Sequence, residues 1–198
     1  DEWEGAIFSM SPGTNTVGAF VPAKSFPRAD HYVHKLYPDA IWEKREFLAS
    51  TDERFRPVNA SIGPDGCLYV VDFYRGVIQH KRFLTSYLRR QSAERSLDKP
   101  IGLGRIYRII PENHQPVPPP QDLVSGLYHP YLWWRLRSQK RMVEGNRLEL
   151  APAITELAED ATATPHARVH ALWVLAGLEK LEESTIEQAI QDPHWFVS

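Results

Sequence analysis

A single cysteine, Cys67, among 198 residues excludes an intramolecular disulfide and any CxxC or CxxCH metal or haem motif within the chain. No apolar run approaches the roughly 18 residues that a membrane-spanning helix needs. The opening Asp1-Glu2-Trp3-Glu4 has neither the basic nor the apolar part of a secretory signal, so if the parent is exported its signal lies upstream. There is no basic excess either: 23 Lys and Arg face 25 Asp and Glu, a net charge of -2, which argues against a nucleic-acid partner. With 42% hydrophobic and 24% charged residues, the composition also excludes a disordered or fibrous class.

What is present changes character along the chain. Residues 1–45, with stretches such as Ser11-Pro12-Gly13-Thr14-Asn15, read as loops and short strands. Two β-prone runs, Val58 to Ile62 and Cys67 to Val71, flank Gly63-Pro64-Asp65-Gly66. Proline second and glycine fourth suit a type I turn, with Asp65 bonding the turn backbone, so a hairpin is expected. A third strand, Gly104 to Ile110, stops at Pro111, and three linked antiparallel strands make most of one propeller blade. Between the second and third strands runs a long excursion, Gly76 to Leu103. It places Phe83, Leu84, Tyr87 and Leu88 at helical spacing and the arginines 82, 89, 90 and 95 largely elsewhere, which reads as a solvated helix face.

Residues 111–120, Pro-Glu-Asn-His-Gln-Pro-Val-Pro-Pro-Pro, fit neither helix nor central strand and read as a linker. Beyond it a pattern recurs. His129-Pro130 precedes Trp133, Trp134, Leu136, Met142 and Val143, and Pro165-His166 precedes Val169, Leu172, Trp173, Leu175 and Ala176. Aligning Arg135 with Arg168 gives a period of about 33 residues, each long helix being followed by a shorter one, Ala151 to Glu159 and Thr185 to Gln191. A third start, Asp192-Pro193-His194-Trp195-Phe196-Val197, follows, and with no polar cap after it the chain is expected to be a fragment of a repeat protein. The three tryptophans 133, 134 and 173 are expected in the core. The histidines 129, 166 and 194 recur as helix-entry features too far apart to share one ion.

The runs Glu46 to Asp52, Phe55-Arg56-Pro57-Val58 and Gly63 to Gly76, continued by Gln79-His80, the strand Gly104 to Ile109, and His129-Pro130 with Trp133-Trp134-Arg135, closely resemble one bacterial family. Its members bear the name membrane-bound dehydrogenase, and the likeness covers residues 40 to 198. The resemblance implies a secreted, periplasmic multidomain protein. Its expected parts are a six-bladed propeller like that of quinoprotein sugar dehydrogenases, a HEAT-like (armadillo-like) helical repeat array, and often a c-type haem domain. The fold class expected is therefore the C-terminal portion of a six-bladed β-propeller over residues 1–110, with a helical insertion at 76–103. A linker at 111–120 and truncated HEAT-like repeats at 121–198 would follow.

On that reading the parent is a periplasmic oxidoreductase acting on a sugar or small alcohol. Electrons would pass to pyrroloquinoline quinone held with calcium, then to c-type haem, none of which this chain identifies for itself, and the fragment alone would be silent. The alternative is a non-catalytic scaffold binding carbohydrate, or protein through its helical repeats. The ligand-facing candidates are Asp72, Arg75, His80 and Arg105, because they stand where a buried strand becomes a long loop and where the next strand begins. A carboxylate beside a guanidinium can orient a hydroxyl, and a histidine can take its proton. The other reading of the same residues is an Asp72 ion pair with Arg75 or Arg105 that anchors the excursion, with His80 a surface residue. Arg56 and Arg105 could face a channel or bridge neighbouring blades. No residue is assigned as catalytic or as a metal ligand.

Overall fold

The computed structural model describes residues 3, 5–23, 31–194 and 197. Residues 1, 2 and 4 of the opening, and Trp195 and Phe196 of the third helix start, lie outside the described residues. The chain divides into two units, one made of residues 1–61 and 68–109, the other of 62–67 and 110–198.

The first unit is built on small antiparallel sheets. β1 (Ile7–Ser11) pairs with β2 (Thr16–Pro22), which also carries β3 (Tyr32–Lys35) and β6 (Leu48–Ala49). β4 (Tyr37–Asp39) and β5 (Glu43–Arg45) form a two-stranded ribbon. β7 (Pro57–Ile62), β8 (Leu68–Asp72) and β9 (Arg105–Ile109) form a three-stranded sheet in that order. Asn15 at the β1–β2 turn has φ 61, and its side-chain amide donates to the carbonyls of Asp52 (3.1 Å) and Phe55 (2.6 Å). Among the described residues the unit's buried side chains include Val17, Ala19, Phe55, Pro57, Leu68 and Val70.

These sheets correct the expected fold class. None of them closes on itself or is propeller-like, so the expected portion of a six-bladed propeller is not what residues 1–110 form. The physical reason is that strand alternation and a tight turn specify an antiparallel neighbour, and every meander shares them. Radial repetition, which makes a propeller, leaves no mark in one hairpin.

The hairpin itself is local chemistry. Gly66 N–H donates to the Gly63 carbonyl at 3.0 Å, and the Asp65 carboxylate accepts from Cys67 N–H at 3.1 Å. Gly66 has φ +77, and a Cβ there would stand 2.4 Å from the Tyr131 ring, so both backbone and space demand glycine. The turn groups with the helices: Trp134 Nε1–H donates to the Pro64 carbonyl at 2.8 Å.

Between β8 and β9 the excursion forms a 3-10 turn (Lys81–Phe83) and helix α1 (Ser86–Glu94), capped by Thr85 Oγ1 accepting from Leu88 N–H.

The second unit is helical. α2 (Leu123–Leu127) begins in a capping box from Asp122 and Ser125. α3 (Leu132–Glu144), α4 (Ala151–Glu159), α5 (Pro165–Gly177) and α6 (Glu183–Ile190) follow. Thr164 caps α5, and Pro165 occupies its first turn, where a missing N–H costs nothing. Leu127, Met142, Ile154, Leu157, Ala167, Ala171, Val174 and Leu175 form one buried core. Trp133 and Trp134 are half-buried, but Trp173 is 63% exposed, against the core position expected for it.

Candidate functional site

The antiparallel register sets Asp72 directly opposite Arg105 at one end of the β8–β9 ladder. On the pleat, Leu68, Val70 and Asp72 share a face with Ile109, Tyr107 and Arg105, and Asp72 is fully buried. A buried carboxylate needs compensation on both oxygens. Oδ1 accepts from Arg56 N–H and Tyr74 N–H, each at 2.8 Å, and Oδ2 accepts from Arg105 Nη2 at 3.2 Å and Nε at 3.3 Å. Arg105 also lies 3.7 Å from Asp52, and its guanidinium stacks 3.6 Å from the Tyr74 ring centre. Tyr74 takes φ 47, a left-handed backbone, where its N–H turns back onto Asp72. The Asp52 carboxyl is held below its usual range, chiefly by the Arg54 amide against the smaller effect of burial, then by Tyr74 and Arg105.

Arg56, on the segment leading into β7, completes the arrangement. Its guanidinium donates to the carbonyls of Arg75 (2.9 Å), Gly76 (2.8 Å) and Pro12 (2.7 Å), and to Asn15 Oδ1 (3.4 Å). Burial lowers its pKa, yet four acceptors hold it charged between the β1–β2 turn and the root of the excursion. Sequence reasoning placed Arg56 at a channel or between blades. The signal for its actual role was its place beside a proline at a strand entry, which does not specify partners 19 to 44 residues away.

Of the four candidates, the structure brings together Asp72 and Arg105. The Arg75 carbonyl accepts from Arg56 Nε, and the Arg75 side chain lies over Phe73, 5.6 Å from the ring centre. His80 is elsewhere in the excursion, exposed, accepting from Arg82 N–H on Nδ1 at 3.2 Å and edge-on to Phe83. Among the described residues no three His, Cys, Asp or Glu side chains are grouped to hold a metal ion.

In the helical unit the 33-residue alignment has a physical counterpart. Arg135, buried on α3, donates to the carbonyls of His129 (2.7 Å) and Pro130 (2.8 Å). Arg168, at the equivalent place on α5, donates to those of Ala161 and Ala163, and also pairs with Asp192 at 2.9 Å. Each arginine ties the start of its helix to the loop before it. No carboxylate pairs with Arg135 among the described residues, and burial lowers its pKa. His170 Nδ1 donates to Gln139 Oε1 at 2.6 Å, and its pKa is pushed down to about 4 by burial, then by Arg135 and His166. A groove of about 520 Å³ between α3 and α5 is lined by Gln139, Lys140, Val143, Glu144 and Trp173.

The sheets, their buried carboxylate and the loop it anchors define a small antiparallel β domain that continues into a helical unit. The family described as the domain of unknown function DUF7133 matches residues 1–113, more than half of the chain, and the chain belongs to it. That match covers the β unit and ends within the proline-rich segment. No curated protein matches the chain, and no solved structure does.

Proposed function

We propose that this chain is a non-catalytic scaffold whose charged cluster is an anchor and whose work is binding. The observation that carries the reading is Asp72: fully buried, with both oxygens occupied by Arg56 N–H, Tyr74 N–H and Arg105, it has no lone pair turned toward a substrate. A general base must reach the proton it removes. His80, the residue expected to take a hydroxyl proton, is bonded within the excursion to Arg82 N–H and lies edge-on to Phe83. The pairing with Arg105 and the Arg56 strap fix where the chain leaves β8 and where it re-enters as β9.

The periplasmic oxidoreductase expectation, with its sugar or alcohol substrate, rests on family resemblance. The test is dye reduction by the chain supplied with pyrroloquinoline quinone and calcium across a sugar panel, beside binding of glycans and proteins to the same sample. No turnover is expected. Turnover abolished by His80→Gln in a protein that melts normally would overturn the scaffold reading.

A further inference from the structure

The excursion at residues 76–103 exposes what folded chains usually cover. None of the residues of α1 is buried, Phe83 is 77% exposed and Tyr87 59%, and Leu88 is exposed beside them. Phe83 ends the 3-10 turn and Tyr87 lies in the first turn of α1, with the extended cap residue Thr85 between them. The excursion also holds six Lys and Arg against two Asp and Glu, a net +4 (six less two) in a chain whose net charge is -2. Among its ion pairs, Arg90 reaches Glu94 only at 3.9 Å and Arg95 turns to Glu53. The Arg90 guanidinium lies 6.0 Å from the Tyr87 ring centre, so cation and aromatic ring are presented together.

Two chemistries are thus displayed in one short segment, and one partner satisfies both. A nucleic acid would neutralise the arginines but leave Leu88 and the Phe83 edge in water. A bilayer with anionic headgroups takes aromatic and aliphatic side chains at its acyl boundary and guanidinium groups at its phosphates, without demanding a complementary shape. No helix of the described residues is long and apolar enough to cross a membrane, so such contact would be peripheral.

We propose that the excursion docks on anionic lipid surfaces, with Phe83, Tyr87 and Leu88 entering the interface and Arg82 and Arg90 meeting headgroup phosphates. This stands apart from the scaffold reading, because an enzyme could carry the same loop.

The test is co-sedimentation of the full 198-residue chain with vesicles of phosphatidylcholine alone or mixed with phosphatidylglycerol, at low and high salt. Binding to the mixed vesicles is expected to be about tenfold tighter than to phosphatidylcholine, and to weaken at high salt. This comparison uses the unaltered chain and decides the matter whether or not any variant folds: equal or no binding overturns the proposal. Phe83→Ser with Tyr87→Ser, and separately Arg82→Gln with Arg90→Gln, should each weaken binding about tenfold while leaving the melting curve in place. If removing the aromatic pair changes nothing, the protein merely adsorbs by charge and the docking proposal fails. Tight binding to a single-stranded oligonucleotide, with none to mixed vesicles, would reassign the surface to nucleic acid.

Discussion

Arg105 closes the β8–β9 ladder opposite Asp72, and its guanidinium, half in solvent, is the charged partner of a carboxylate that is wholly out of it. The pair joins two ends of chain separated by 33 residues, so the excursion leaves and returns at one fixed point.

That asymmetry predicts unequal costs. Asp72→Ala removes an acceptor from Arg56 N–H, Tyr74 N–H and Arg105 together and should destabilise the β unit by about 3–5 kcal/mol. Arg105→Lys keeps the charge but loses the two-pronged contact and the stacking on Tyr74, at about 1–2 kcal/mol. Chemical denaturation of the three proteins measures both. A site role would instead leave their stabilities alike.

Arg56→Gln should cost about 2–4 kcal/mol, since the carbonyls of Pro12, Arg75 and Gly76 lose their charged donor. Hydrogen exchange should show faster opening at both the β1–β2 turn and residues 73–77. Exchange that quickens at only one of them would mean the strap does not couple the two.

The paired helix-start arginines should differ. Asp192→Ala leaves Arg168 buried without its carboxylate and is expected to cost about 3 kcal/mol. Arg135 has carbonyl partners alone, so Arg135→Met should cost about 1–3 kcal/mol through two unsatisfied acceptors. Thermal melts of the two variants, followed by helical circular dichroism, make the comparison.

His170 makes the helical unit sensitive to acid. Its folded pKa, about 4, lies below the ordinary 6.5, so the unfolded state binds the proton more readily between those values. The stability it contributes is therefore complete above pH 6.5 and is lost as pH falls toward 4, on the order of 3 kcal/mol. His170→Gln should flatten that dependence. Denaturant midpoints of wild type and variant across the window give the answer, and parallel slopes would refute it.

Gly66→Ala meets a left-handed backbone and the Tyr131 ring at once and should cost about 2 kcal/mol or more. Gly13→Ala, where nothing lies within 4 Å, is the control and should leave the melting temperature nearly unchanged.

The sequence by itself determined the features whose forces act over a few residues. These are the Gly63-Pro64-Asp65-Gly66 turn and the helix starts beside prolines. It also placed Asp72 and Arg105 at one sheet end, because adjacent antiparallel strands joined by a loop must share that end. Only the tertiary structure decided the rest. Residues 7–22, which read as loops and short strands, form β1 and β2, but that β2 also pairs with β3 and β6 is set by the fold. Asp72 takes Arg105 rather than its near neighbour Arg75, since the strand register delivers the first and the left-handed turn at Tyr74 carries the second away. Arg56 finds acceptors up to 44 residues distant, and Trp173 remains in solvent where its repeat position suggested burial. Sheet arrangement and charge pairing at such separations depend on which surfaces meet when the chain closes, and periodicity along the chain holds no record of that.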